Sequence, residues 1–309
     1  MRFFDLHCDT LYKAVTEDIP LNSEKLEVIP NFNKGLQCYA VWLPDEYSGS
    51  MAEEILFKAV MVLQSESKRL GIKLADKSDN LNEIFSKNDF SACLTVENSL
   101  ALNNKVENVK KFADLGVRIM TLTWNGSNPV GDGAEVKNPM GITEFGKKVL
   151  YEMERCNIVV DISHASDKLF FDVAEIANRP FIATHSNSRA VTSHKRNLTN
   201  EQFELIKNKG GIVGLNFHKD FLSDEPDKAS KYDILKHTEK FLSLGGENTI
   251  AIGSDFDGCT LPNDIHGSIS MNEIYEMFLR HNYKESLIRK IFYENTLKFF
   301  ENFDKERIM

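Results

Sequence analysis

Positive charge is in deficit: 37 Lys and Arg stand against 46 Asp and Glu, a net charge of −9. Affinity for a phosphate backbone comes from clustered basic side chains, so no nucleic-acid partner is expected. Long hydrophobic runs are missing as well, and no stretch approaches the ~20 apolar residues that a membrane helix needs. Arg2-Phe3-Phe4 already reads as strand, which predicts no leader peptide and no membrane attachment. Cysteine is sparse. Cys8, Cys38, Cys93, Cys156 and Cys259 are odd in number, scattered, and make no C-x-x-C pair. They read as reduced, buried small hydrophobes of a reducing compartment, and a cytoplasmic location is the expectation. Linkers, repeats and low-complexity tracts are absent, so one domain spanning residues 1–309 is expected.

What is present is an alternation. Short apolar runs at 2–7, 36–42, 92–97, 117–123, 158–164, 181–185, 212–217 and 249–255 read as strands. Amphipathic segments at 52–70, 106–115, 143–156, 167–177, 201–209 and 233–244 read as helices between them. Eight strands alternating with helices in a chain of this length predict a (β/α)8 barrel, a TIM-barrel α/β fold. A doubly wound open sheet fits less well, because polar residues end most strands rather than clustering at one switch point. The segment 125–142 is the longest loop bearing Gly and Pro, and Thr199 or Asn200 reads as a helix cap. Apolar residues at helical spacing in 272–303 predict terminal helices that close the barrel bottom or meet a second subunit.

The chain opens on Phe4-Asp5-Leu6-His7-Cys8-Asp9-Thr10. Side chains alternate faces along a strand, so Asp5, His7 and Asp9 are expected to project together. Three buried polar groups in a row are costly unless a metal ion compensates them. Barrel chemistry sits at the C-terminal ends of the strands. Those ends offer His7 and Asp9, Glu97, His164, His185 and Asp255. Such a set can hold two divalent cations if one carboxylate bridges them. Two ions ~3.5–4 Å apart polarise a carbonyl and lower the pKa of bound water toward ~7, which is what amide hydrolysis near neutral pH demands. Imidazole and carboxylate suit zinc, and manganese or cobalt would fit a similar site.

Each residue has a plainer reading taken alone. An H-x-D pair arises often by chance, Glu97 could sit at a helix start, and His164 could be a core histidine bonded to a carbonyl. The Ser- and Asn-rich run after His185 could be a turn, as could Asp255-Phe256-Asp257-Gly258. Arg196 lies in a basic cluster with His194 and Lys195 that ordinarily reads as solvated loop. Joint placement at strand ends favours the metal site. Asp257 reads as structural, Asp161 as a residue that either supports the ligands from behind or packs, and His237, His266 and His281 carry no assigned role.

The motifs Asp5-Leu6-His7-Cys8-Asp9-Thr10, Thr95-Val96-Glu97, Asp161-Ile162-Ser163-His164, Thr184-His185-Ser186-Asn187-Ser188, Lys195-Arg196-Asn197 and Gly253-Ser254-Asp255-Phe256-Asp257-Gly258 together resemble the membrane (renal) dipeptidase family of the amidohydrolase superfamily. The resemblance runs nearly end to end. It implies a zinc-dependent dipeptidase acting through a metal-bridging hydroxide, with tolerance for a D-residue at the C-terminal position. His7 and Asp9 would bind the first zinc, Glu97 would bridge, and His164 and His185 would bind the second. Arg196 would hold the substrate carboxylate, a guanidinium being able to grip it bidentately. Asp255 would serve the amine, and a homodimer would be in keeping with the family.

Two departures stand out. Trp124, in Leu122-Thr123-Trp124-Asn125, occupies the place of a histidine that meets the substrate carbonyl, with Asn125 beside it. An indole donates one hydrogen bond but carries no charge. Phe221 stands near where a tyrosine is expected, with His218 close by. Another small amide, a lactam or a lactone is therefore an alternative substrate. A PHP-type phosphoesterase fits less well, since Asp9 stands where that family has histidine.

Overall fold

The computed structural model describes residues 1–30, 34–76 and 79–306. Its strands are β1 (Arg2–Cys8), β2 (Lys34–Trp42), β3 (Lys73–Ala75), β4 (Phe90–Glu97), β5 (Val117–Thr121), β6 (Val159–Asp161), β7 (Val213–Leu215) and β8 (Ile250–Ile252). All pair in parallel, in the order β6-β5-β4-β2-β1-β8-β7. The remaining gap is spanned by segment 181–185, which meets β6 through Asp161 and Ile182 and β7 through Ala183 and Val213. The ring closes as the alternating pattern predicts, a TIM-barrel α/β fold.

Three details differ from the sequence expectation. Segment 181–185 makes single bridges on each side rather than a ladder. Gly214 and Gly253 bring their backbones hard against the Thr184 carbonyl there, where a Cβ at either would overlap its oxygen. Secondly, β3 is an extra strand pairing only with the first half of β4, outside the ring. The third difference is in β1. Pairing with β2 advances from Asp5–Gln37 to Cys8–Tyr39, three residues against two. This bulge breaks strict alternation, and it re-aims the end of the strand. Asp5 accepts hydrogen bonds from the Ser254 amide (2.9 Å) and hydroxyl (2.5 Å).

The barrel interior is apolar, with Phe4 and Leu6 from β1, Leu36 from β2, Cys93 from β4, Ile119 from β5, Val159 from β6, and Ile182, Ile212 and Ala251 in one buried cluster. Phe299, Phe300 and Phe303 of the terminal helix, Asn295–Lys305, belong to the same cluster. That helix closes the N-terminal end of the barrel, one of the two roles its spacing suggested.

Helices cover the outside. Ser48, Thr143 and Ser166 cap three of them by accepting from a backbone amide three residues on. Thr199 and Gln202 form a reciprocal capping box on Asn200–Asn208, which settles the choice of cap. The helix Thr10–Glu17 had no clear sequence signal, since it begins one residue after Asp9 and is only two turns long. No helix among the described residues is long and apolar enough to cross a membrane.

Candidate metal centre

The C-terminal ends of the strands bring six of the expected residues together: His7, Asp9, Glu97, His164, His185 and Asp255. All are at least nine-tenths buried. The chain after β8 continues against β1, with the Asp255 amide donating to the His7 carbonyl (3.1 Å) and the Asp9 amide to that of Phe256 (2.8 Å). Asp255 and Asp257 hold left-handed backbone conformations, φ 66° and 64°. Strain of this kind in a non-glycine residue persists only where surrounding structure over-determines it.

Glu97 faces two ways. Its Oε2 lies 3.4 Å from His7 Nε2, while its Oε1 lies 2.6 Å from His164 Nε2 and 3.8 Å from His185 Nε2. On the His7 side, Nε2 is 3.4 Å from Asp9 Oδ2 and 3.8 Å from Asp255 Oδ1. Ligand atoms of His7, Glu97 and His185, and separately of His7, Asp9 and Asp255, all fall within 4.8 Å of one another. Asp9 sits at the N-cap of its helix but makes no capping bond, and its buried Oδ1 has no hydrogen-bond partner.

Hydrogen bonds behind the two later histidines fix which nitrogen carries the proton. His164 Nδ1 lies 2.9 Å from the Asn125 side-chain oxygen, an acceptor, so the proton is on Nδ1. Thr184 Oγ1 donates to Asp161 Oδ2 (2.7 Å) and therefore accepts from His185 Nδ1 (2.7 Å). Both histidines consequently turn unprotonated Nε2 atoms toward each other, 3.0 Å apart and facing Glu97. Lone pairs so opposed repel, and a shared cation is the arrangement that satisfies them. The donor set thus fits divalent-cation binding.

Electrostatics point the same way. Burial pushes Asp9 up to about 6, with Glu97 adding to it. Burial likewise pushes Asp255 up to about 7, against the pull of His7 and with the push of Asp9 and Glu97. Burial alone would raise Glu97, but His164 and His7 outweigh it and hold it below the usual range. His164 is driven down to about 4 and His185 well below its ordinary value, desolvation being the main cause. Of the three histidines only His7 rises, Glu97 and Asp9 overcoming its burial. Crowded carboxylates beside neutral imidazoles are what bound cations stabilise.

The cluster floors a cavity of about 470 Å³. Arg196 lines it, 4% exposed, and none of its three guanidinium nitrogens has a hydrogen-bond partner. The plainer solvated-loop reading of Arg196 does not hold: the chain folds it inward against the Phe221 ring, 5.4 Å from the centroid. His194 and His218 flank that same ring, each 4.6 Å away. Trp124 lines the cavity, as does Asn125, whose side-chain oxygen is committed to His164. Asp257 accepts from Thr10, Lys13 and the Glu27 amide, tying the β8 loop down as a structural residue does.

Asp161 takes bonds from Thr121, Ser163 and Thr184 and so stands behind His185, the first of its two expected roles. Other contributors escaped the sequence reading. Asn216 donates from its amide to Asp255 Oδ2 (2.9 Å). The available signal was a polar residue next to last in the 212–217 run. His237, given no role, bridges the Ser188 amide and the Leu222 carbonyl. Trp42 lines the cavity from the end of β2, a strand that offered no ligand.

The membrane dipeptidase model, peptidase family M19, matches residues 1–307. A protein in the pqqA 5′ region of Klebsiella pneumoniae is 29% identical over 216 residues, 67% of this chain and 80% of that one. An uncharacterized dipeptidase of Schizosaccharomyces pombe is 30% identical over 193 residues, 60% of this chain and 46% of its own length. Among solved structures, the dipeptidase AC, a metallo peptidase of family M19, superposes with a TM-score of 0.88 at 25% identity, covering 97% of this chain and 98% of that one. A metallo peptidase from Rhodobacter sphaeroides, liganded with a phosphinate mimic of the dipeptide L-Ala-D-Ala, gives a TM-score of 0.89 at 24% identity over 97% of this chain and 99% of that one. The chain belongs to the membrane dipeptidase family, peptidase family M19, a family of metal-dependent peptide hydrolases.

Proposed function

We propose that this peptide hydrolase cleaves dipeptides, using two zinc ions held by His7, Asp9, Glu97, His164 and His185. The observation that carries the reading is the opposed pair of Nε2 lone pairs beside a carboxylate whose two oxygens face opposite ways. When bound, such cations supply a hydroxide nucleophile at neutral pH and polarise the scissile carbonyl.

The protein's own residues do the rest. Arg196, a buried cation with every nitrogen unsatisfied, takes the carboxylate terminus, whose charge and two oxygens match its fork. Asp255 faces His7 through Oδ1 while Asn216 holds Oδ2. A carboxyl placed there can take up a proton and pass it to the departing amine. Asn125 and the Thr184–Asp161 pair keep the two imidazole rings oriented. A D-residue at the C-terminal position is accepted; the ligand mimic on the Rhodobacter sphaeroides relative supports including it. Five free cysteines, three of them buried, support a reducing, cytoplasmic setting.

The test is elemental analysis of wild type and Glu97→Ala beside hydrolysis of an L-X/L-Y and L-X/D-Y dipeptide library. Near two zinc ions per chain, with metal and turnover both lost in the variant, is the expected outcome. Metal without turnover of any dipeptide would shift the reading to another small amide, a lactam or a lactone, to which Trp124 in the cavity lends support. Absence of metal would overturn it.

A further inference from the structure

The cavity mouth has two unlike halves. Around one side stand Arg196, His218 and Asp255, carried by the segments after residue 185, β7 and β8. Around the other stand Tyr12, Trp42 and Trp124, carried by the helix after β1, the end of β2 and the loop after β5, with Glu97 of β4 between them. The three rings pack on one another. Trp42 meets Tyr12 edge-on at 5.1 Å between centroids and meets Trp124 edge-on at 5.1 Å. All three are half-buried, so each keeps part of its surface turned to the cavity. Phe221, across the mouth, is engaged with Arg196, His194 and His218. Lys13, the nearest cation on the aromatic side, is paired with Asp257 at 2.9 Å.

A dipeptide bound with its carboxylate on Arg196 and its amide over Glu97 has little freedom left. Its carboxy-terminal residue lies on the Arg196 side, and its amino-terminal residue extends across the metal centre toward β1 and β2. We infer that Tyr12, Trp42 and Trp124 form the subsite for the side chain of the amino-terminal residue and select a large apolar or aromatic one. The inference rests on the dipeptidase reading and deepens it. Rings already packed edge to face lose little freedom when they receive another ring, and offset aromatic contact adds to the burial of apolar area. A cavity of about 470 Å³ is of the size that holds such a ligand. Trp124 is then a specificity residue, and its lack of a titratable group is no handicap.

The experiment takes the metal-loaded full chain and a series X-Ala, with Ala as either enantiomer and X as Gly, Ala, Leu, Phe or Trp. Phe-Ala is expected to exceed Ala-Ala in kcat/KM by at least ~10-fold, the discrimination an apolar pocket achieves. The difference should lie mainly in KM. Trp42→Ala and Trp124→Ala should each collapse the ratio of Phe-Ala to Ala-Ala. An independent readout needs no variant and no turnover. Trp42 and Trp124 are the two tryptophans of the chain, and both face the cavity. Phosphinate mimics of Phe-Ala and Ala-Ala should therefore change its tryptophan emission, the former at ~10-fold lower concentration. Turnover of the series with no preference for large X, or equal affinity for the two mimics, overturns the inference alone. No turnover of any dipeptide and no binding of either mimic overturns the dipeptidase reading together with it.

Discussion

A carboxylate with one oxygen 3.4 Å from His7 and the other 2.6 Å from His164 is a poor candidate for a simple ion pair. What makes Glu97 a candidate bridge is the company it keeps, and much of that company acts through hydrogen bonds behind the imidazoles. Asn125→Ala removes the acceptor that sets the His164 tautomer. Metal affinity should fall 10- to 100-fold, the usual cost of losing such a partner, as measured by chelator competition. Unchanged affinity would mean that His164 needs no help to face the site. Gly258 makes a second, steric case. A Cβ there would overlap Asp9 Oδ2 and press on Asp255 Oδ1, so the residue must stay bare for both carboxylates to enter. Gly258→Ala is expected to retain helical circular dichroism while losing bound metal and turnover together. Retention of both would show that the loop shifts freely.

At the scale of elements, the terminal helix Asn295–Lys305 is strapped to the barrel floor by charge as well as by phenylalanine. Arg118, fully buried on β5, donates to Asp304 Oδ1 at 2.7 Å, and Asn157 donates to the same atom at 2.8 Å. Arg179 bonds the Phe303 carbonyl and lies over its ring. Asp304→Ala leaves a buried guanidinium without its counter-charge and should cost about 3 kcal/mol in urea unfolding. A loss below ~0.5 kcal/mol, the size of a surface substitution, would show that the phenylalanines hold the helix alone.

The helix Lys231–Ser243 ties two site loops through His237, which accepts from the Ser188 amide and donates to the Leu222 carbonyl. Burial lowers its pKa to about 4, the Leu222 bond opposing. The unfolded chain, at an ordinary ~6.5, therefore takes the proton first as pH falls. The stability His237 contributes is full above ~6.5 and is lost as pH falls toward 4. His237→Asn should consequently be most destabilising at pH 7.5 and less so at pH 5, compared by urea midpoints. A gap that widens on acidification would contradict this assignment.

For the whole molecule, metal binding and folding are linked, because the ligands come from strand ends spread between residues 7 and 185 and meet only in the closed ring. Ions at 1,000 times their dissociation constant stabilise by about 4 kcal/mol. For a chain of this size chelation should then lower Tm by on the order of 10 °C. A Tm indifferent to chelator and restored metal would separate the site from the fold.

Strand and helix alternation was legible in the chain because a parallel barrel buries its strands and exposes one face of each helix. The candidate site residues were legible because chemistry in this architecture collects at strand ends, so His7, Asp9, Glu97, His164, His185 and Asp255 stood out by position. Other features needed three dimensions. The bulge in β1 depends on how β2 pairs with it, and the bare bridges of 181–185 depend on two glycines against one carbonyl. The tautomers of His164 and His185 depend on Asn125 and on Thr184 with Asp161, partners brought in by neighbouring loops and strands. Trp42 and Tyr12 became cavity walls only when β1, β2 and β5 curved around Glu97. Local pattern reports which face a side chain takes and what chemistry it carries. Which groups meet is decided by closure of the ring, since contacts between residues far apart in sequence exist only after the chain has folded.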